Sequence, residues 1–288
     1  MSSKLKISVY ITSYNQKDFL KEAIDSVINQ TLTPYEIIIV DDCSGDGSQE
    51  LILEYAREHS NIRYSFHTTN QGVAQVRRTA LEMVQGDYVT YVDGDDIYLP
   101  RKLEIESQII IKQSCDIAFS NNIYVNEYDL SNIKWIWTDT PVNLKSHSSM
   151  FVKTVGRFFP RSSLFRMELV NYEFLKSIGF HDPNLDLYED YDLRIRMAQK
   201  GTFGCTLEPT TKDRINSKGL STSPREDHLK ALNYIYKKYE NDICELNVTD
   251  REILRKRIKQ ILGKVTPQKE KGGFARFFDR VLKKVKKL

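Results

Sequence analysis

The sequence predicts an α/β fold: a mostly parallel sheet flanked by helices, followed by a helical extension at the C-terminal end. Three observations predict it. Through the first 120 residues, apolar runs of strand length alternate with segments of helical period. Polar and acidic residues gather where those apolar runs end, and the last part of the chain turns to polar helical patterns.

The elements follow in order. "KISVYIT" reads as a buried strand, and Phe19, Leu20, Ala23, Ile24, Val27 and Ile28 recur at helical spacing. "EIIIVDD" is a second strand; residues 48–59 form a helix with Leu51, Ile52 and Tyr55 inward, and "IRYSFH" is a short third strand. Residues 72–84 are helical, "DYVTYV" is the next strand, residues 100–113 form a helix with Pro100 in its first turn, and "CDIAFSN" closes the series. Residues 125–160 carry no clear period. A helix is expected from about Glu168 to Ser177, stopped by Gly179, and another over "YEDYDLRIRMAQKG". Residues 227–262 read as two polar helices, and residues 266–273 as a linker.

Composition narrows the classes. The four cysteines are far apart with no CxxC pair, which argues against a zinc site or a disulfide framework and fits a reducing compartment. No apolar run reaches the roughly 18 residues of a membrane span, and the apolar stretch near the N-terminus is too short for a signal peptide. The net charge of +3 conceals an uneven distribution: residues 264–288 hold nine Lys or Arg against Glu270 and Asp279, so the tail carries +7 and the rest −4. No nucleic-acid partner is expected.

In open parallel sheets ligands bind beyond the carboxyl ends of the strands. Thr12, Ser13, Tyr14 and Asn15 follow the first strand, Asp41 and Asp42 the second, and Asp93-Gly94-Asp95-Asp96 the fourth. Three carboxylates in four positions repel unless positive charge lies among them. A divalent cation, Mg²⁺ or Mn²⁺, is the candidate, since hard cations take one or two carboxylates plus phosphate oxygens and water. Gly94 would let the backbone approach a phosphate. Asp41 and Asp42, with Tyr14 on the same rim, suit a nucleoside pocket, and Arg77 on the helix after Asn70-Gln71-Gly72 could reach the nucleotide. Glu189-Asp190 opens a helix, where Asp190 could act as a general base. Each has a plainer alternative: an acidic turn with Asp96 capping a helix, turn formers, a solvated basic face, and carboxylates favoured by the helix dipole.

Taken together, "VYITSYNQKDFLKEAIDSVINQTLTPYEIIIVDDCSGDGS", "NQGVAQVRR", "GDYVTYVDGDD" and "IGFHDPNLDLYEDYDLRIRMAQKG" resemble the pattern of glycosyltransferase family 2, over about residues 5–222. The resemblance is to inverting enzymes of Rossmann-like GT-A fold that build bacterial cell-surface polysaccharides such as capsule, O-antigen or exopolysaccharide. It implies transfer of a sugar from a nucleotide-diphosphate sugar to a hydroxyl acceptor. It also implies roles: Asp41, Thr12 and Tyr14 at the nucleoside, Asp93 and Gly94 at ribose and diphosphate, Asp95 on the metal and Asp190 as base, with Glu189, Asp42 and Asp96 secondary. Many relatives carry a downstream Arg-x-His segment; here "DRINSKGLS" places Asn216 at the histidine, an oxygen ligand weaker than imidazole.

The expected organisation is a catalytic domain over 1–222, split into a nucleotide-sugar part (1–120) and an acceptor part (121–222), a helical extension over 223–263, and a linker with a basic amphipathic helix over 264–288. In that last segment Phe274, Phe277, Phe278, Val281, Leu282, Val285 and Leu288 recur at helical spacing among Arg and Lys, a pattern suited to an anionic leaflet. The expectation is therefore a cytoplasmic protein held peripherally on the inner face of the cell membrane, with a glycan or lipid-linked glycan as acceptor. Two other functions compete. A D-x-D phosphatase would normally carry its nucleophilic Asp on the first strand, which here ends in "TSYNQ". A non-catalytic glycan-assembly scaffold would not need all of these acids.

Overall fold

The structure, a computed structural model, describes residues 5–142, 144, 149–217 and 219–265. The expected C-terminal amphipathic helix and its linker lie outside the described residues. The chain runs β1 (Ile7–Ser13), α1 (Lys17–Ile28), β2 (Glu36–Asp41), α2 (Ser48–Glu58), β3 (Ile62–Phe66), α3 (Val73–Glu82), β4 (Tyr88–Asp93), β5 (Ile97–Tyr98), α4 (Lys102–Gln113), β6 (Ile117–Asn126) and β7 (Ile133–Ile136). It continues through α5 (Met150–Val155), β8 (Leu169–Asn171), α6 (Tyr172–Ile178), α7 (Glu189–Lys200), β9 (Phe203–Ile215), α8 (Arg225–Lys238), α9 (Glu240–Glu245) and α10 (Val248–Val265).

The strands form one nine-stranded sheet in the order β3-β2-β1-β4-β8-β6-β9-β5, with β7 on β6. The first four are parallel, and the pairing beyond β4 is mixed. β2 explains why: Ile37, Ile38, Ile39 and Val40 are all fully buried, as an unbroken apolar run requires when helices cover both faces. Chain order reverses at β1, flanked by β2 on one side and β4 on the other. There Ser13 pairs with Asp41 and Thr12 with Asp93. This is the switch point where such sheets place ligands.

Two cores meet along β6. Ile117 and Ala118 join the aliphatic core under the parallel strands, while Phe119 opens an aromatic core with Trp137, Phe151, Phe159 and Phe165. The C-terminal helices close that second core through Leu232, Ile235, Tyr236, Leu254 and Ile258, so the helical extension is packed against the part of the chain beyond β6.

Several elements differ from expectation. The helix expected from Glu168 begins as β8, because residues 169–171 pair with both β4 and β6; α6 then starts behind Asn171, whose Oδ1 accepts from Phe174 N at 2.9 Å. Pro100 lies before α4 rather than in its first turn. Residues 227–262 contain parts of three helices, with α9 a short link between the longer two. β9 was not anticipated: its polar residues and Pro209 hide a 13-residue strand whose register against β6 shifts on either side of Asn121.

Candidate active site

At the rim of β1, Thr12 Oγ1 donates to Asp93 Oδ1 at 3.1 Å, and Tyr14 just beyond is 48% exposed, leaving its ring open for stacking. Asp41 is fully buried and already engaged. Its Oδ2 accepts from Ser13 Oγ (2.8 Å) and Ser44 Oγ (2.5 Å), and its Oδ1 from Ser44 N and Gln49 Nε2, both at 2.8 Å. A base N–H reaches Asp41 only by exchange with one of these donors. Asp42 anchors the loop before α3: it accepts from Gln71 N (2.9 Å) and Gly72 N (2.8 Å) and meets His67 Nδ1 at 2.7 Å.

Around Asp93-Gly94-Asp95-Asp96 the positive charge that the sequence demanded comes from arginine. Arg77 Nη2 donates to Asp93 Oδ1 at 2.7 Å. Arg166 Nη2 lies 3.0 Å from Asp93 Oδ2 and 3.2 Å from Asp96 Oδ2, while its Nη1 lies 3.3 Å from Asp213 Oδ2. Asp96 does not cap α4; it is buried, and its Oδ1 accepts from Arg214 N at 2.7 Å. Burial pushes Asp96 well above the usual carboxylate range, the charge of Asp213 adds to this, and Arg166 opposes it. Asp213 is likewise raised by burial against Arg166.

Gly94 has a steric reason of its own. A Cβ there would stand 2.6 Å from the Thr12 carbonyl oxygen and 2.7 Å from Gln16 Oε1, so the turn after β4 closes onto β1 only with glycine.

Asp95 is the acid of this motif that no guanidinium pairs with among the described residues. Its Oδ2 accepts from Asn216 Nδ2 at 3.2 Å, which brings the end of β9 to the motif. Burial raises its carboxyl and the neighbouring Asp93 charge adds to the effect, so the group favours an arriving cation. Among the described residues no three His, Cys, Asp or Glu side chains gather into a metal-holding group. One carboxylate and one amide side chain nevertheless suit a hard cation that completes its shell with water and phosphate oxygens.

Arg77 was expected to reach a nucleotide, but it is turned inward. It is 5% exposed, lies over the Tyr91 ring at 4.3 Å and, besides Asp93, has Glu189 Oε1 3.4 Å from its Nε. It therefore ties the β4 motif to the first turn of α7. That turn follows Tyr188, held at φ 65°, and carries Glu189, Asp190 and Asp192 at the positive end of the helix dipole. Burial and the adjacent Asp190 charge raise Glu189 to about 7. Asp190 keeps a side chain 36% exposed and accepts from Arg194 Nη1. Burial opposes its ionisation, but the Arg194 and Arg77 charges outweigh that and hold its carboxyl well below the usual range. Arg194 is fixed in turn by Glu168 Oε2 at 3.0 Å and the Tyr91 hydroxyl at 2.8 Å.

The structure thus brings Thr12, Asp93, Asp95, Asp96, Arg77, Glu189, Asp190 and Asn216 into one connected network, and gives Asp41 and Asp42 internal partners. Arg166, Arg194, Glu168 and Asp213 escaped the sequence reading. Arg166 sits in "SSLFRMEL" with no local pattern around it, whereas Asp213 and Arg214 stood beside Asn216 in "DRINS" and carried a signal in their charge.

Known proteins resemble this chain in the same region. The sequence model of the family "Glycosyl transferase family 2" matches residues 8–171, more than half of the chain. A Bacillus subtilis (strain 168) protein named as a teichuronic acid biosynthesis glycosyltransferase, TuaG, is 36% identical over 114 residues, or 40% of this chain and 45% of TuaG. The uncharacterized glycosyltransferase EpsJ of the same organism is 28% identical over 249 residues, or 81% of this chain and 70% of EpsJ. This chain thus spans less than half of the first relative. Among solved structures, S. aureus TarS 1-349 in complex with UDP superposes with a TM-score of 0.68 at 18% identity, covering 94% of this chain and 78% of that one. The mannosyltransferase PcManGT from Pyrobaculum calidifontis in complex with GDP-Man and Mn²⁺ gives 0.62 at 16% identity, covering 90% and 70%. At these identities the likeness is one of fold.

Proposed function

Because the chain belongs to glycosyltransferase family 2, we propose that it transfers a sugar from a nucleotide-diphosphate donor to a hydroxyl acceptor with inversion, in the assembly of a cell-surface polysaccharide. The observation that carries this reading is the Asp93–Arg77–Glu189 bridge, which ties the acidic motif after β4 directly to the turn that carries Asp190. Solved structures of this fold hold UDP, UDP-GlcNAc or GDP-Man, which supports a nucleotide-sugar donor. Tyr14 offers an open ring face to the base, and Thr12 and Asp93 lie at the switch point where the diphosphate would rest.

Asp190 is the base in this reading. Arg194 keeps it ionised at neutral pH, and its exposed carboxylate can take the proton of an acceptor hydroxyl that attacks the anomeric carbon from the side opposite the diphosphate. Asp95 and the Asn216 amide would hold Mg²⁺ or Mn²⁺, whose Lewis acidity would stabilise charge on the departing diphosphate. No second carboxylate is required as acid when the leaving group is a diphosphate. The acceptor proposed is a glycan or lipid-linked glycan at an anionic membrane surface, supported by the charge and spacing of residues 264–288. No helix among the described residues is long and apolar enough to cross a membrane.

The test is a panel of nucleotide sugars with Mg²⁺ or Mn²⁺ and polysaccharide-repeat acceptors. The expected outcome is acceptor-dependent release of the nucleoside diphosphate and a product whose anomeric configuration, read by NMR, is opposite to that of the donor. Retention of configuration would refute the single displacement. Phosphate release from a simple ester without nucleotide-sugar turnover would establish the phosphatase instead.

A further inference from the structure

Arg166 stands between two anchored neighbours. Phe165 is fully buried and stacked on Phe119 at 4.3 Å between ring centroids. Met167 is fully buried at φ 52°, a region sparsely used by non-glycine residues, and its carbonyl accepts from Thr90 Oγ1 at 2.9 Å. The backbone therefore tolerates strain where it presents this one guanidinium to the cleft, and the side chain has little freedom to withdraw. Its fork reaches carboxylates from three places: Asp93 at the end of β4, Asp96 in the following turn and Asp213 on β9. A planar guanidinium can bridge such an arrangement; a compact ammonium cannot.

We propose that Arg166 is a built-in counter-cation that keeps Asp93, Asp96 and Asp213 from divalent metal, so that Asp95 alone offers a carboxylate and metal binds tightly only together with the nucleotide. This rests on the reading of Asp95 as a cation ligand. The physical reason is stoichiometric. One carboxylate and one amide leave most of the coordination shell of Mg²⁺ or Mn²⁺ to be filled, and the phosphate oxygens of a nucleotide fill it. With Arg166 absent, Asp93 Oδ2 and Asp96 Oδ2 lose the guanidinium they share, and the donor-free protein gains carboxylate oxygens beside Asp95 for a cation site that needs no nucleotide.

Binding of Mn²⁺ to the full-length protein, followed by electron paramagnetic resonance with and without UDP, tests this. For the wild type the expected result is weak binding of Mn²⁺ alone and at least tenfold tighter binding with UDP; linkage requires that Mn²⁺ tighten UDP by the same factor. Arg166→Met should bind Mn²⁺ alone at least tenfold more tightly than the wild type, and its UDP–Mn²⁺ coupling should shrink. Arg166→Lys, which keeps the charge without the fork, should give a smaller gain in the same direction and serves if the Met variant does not fold, as judged by circular dichroism. A folded variant with unchanged Mn²⁺ affinity overturns the inference while leaving the Asp95 reading intact. Absence of Mn²⁺ binding to the wild type even with UDP overturns both.

Discussion

The two parts of this molecule that meet along β6 are built from different materials. The core beneath β1 to β4 is largely aliphatic, with Ile37, Ile38, Ile39, Val40, Val9 and Ile11 fully buried in regular alternation with helices. The core beyond β6 is aromatic: Phe165 stacks on Phe119, and Trp137, Phe159 and Phe203 meet them at ring distances of 5.7 to 6.2 Å. The first part makes a uniform platform through repeated local units. The second makes a shaped wall through contacts between residues far apart in sequence, and it supplies Arg166 and Arg194, which pair with Asp93 and Asp190, and Glu168, which fixes Arg194. The acids after β4 are thus held largely by a guanidinium from the less regular part.

The largest effect that would sharpen this contrast is on rate. If Asp190 is the base, as proposed, Asp190→Asn should lower kcat by a thousandfold or more, within the range general-base catalysis supplies, while nucleotide affinity stays unchanged. Steady-state kinetics beside UDP calorimetry separates the two, and loss of UDP binding with rate preserved would reverse the assignment.

Next in size, Phe165→Ala should cost about 3–5 kcal/mol in urea unfolding, against about 1 kcal/mol for Ile39→Val in the platform. Equal costs would break the claim that the aromatic stack carries the wall beyond β6. Asp95→Ala should weaken Mn²⁺-dependent binding of the nucleoside diphosphate roughly ten- to a hundredfold, about 1.4–2.8 kcal/mol, with the melting curve unchanged since the residue lies on the rim. An unaltered Mn²⁺ dependence would remove Asp95 from the cation.

The smallest effect concerns the loop before α7. Asp182 Oδ2 accepts from Lys238 Nζ at 2.7 Å and from the Tyr234 hydroxyl at 3.1 Å, fastening that loop to α8. Burial would raise its carboxyl, but Lys238 and the Asn184 contacts outweigh it and bring it down to about 2. The folded value lies below the unfolded one, so the stabilisation is complete above about pH 4 and fades as pH falls toward 2. Asp182→Asn should therefore cost roughly 1–2 kcal/mol at pH 7, allowing for the partial exposure of Lys238, and almost nothing near pH 2. A cost independent of pH would mean that packing, not the ion pair, fixes the loop.

Legibility in the sequence follows the same division. The parallel strands and their helices were readable because burial on two faces leaves an unbroken apolar run and burial on one helical face leaves a period of 3.6. β9 was not, because its residues are interleaved polar partners of β6 and of the cleft, including Thr210, Thr211 and Asp213, whose burial becomes intelligible only beside Ser120 and Asn122. The acids at Asp93, Asp95 and Asp190 were visible as short motifs. Of their arginine partners, Arg77 was singled out, though for a nucleotide rather than for Asp93, while Arg166 was not, since it lies 73 residues from Asp93 and 70 from Asp96. The need for positive charge was evident in the sequence; its covalent source was a matter of tertiary structure.

The nine-stranded sheet has a further consequence. β8 is hydrogen-bonded to β4 on one side and β6 on the other, so the two walls of the cleft belong to one backbone ladder. Separating the β1–β4 part from the β6–β9 part as two rigid bodies would break these strand pairs rather than flex a linker. A chimera that joined the first part of one family member to the second part of another would cut through β8's pairs in the middle of the sheet. Exchange of specificity between relatives is better attempted by replacing rim loops, with β4, β8 and β6 kept from a single parent.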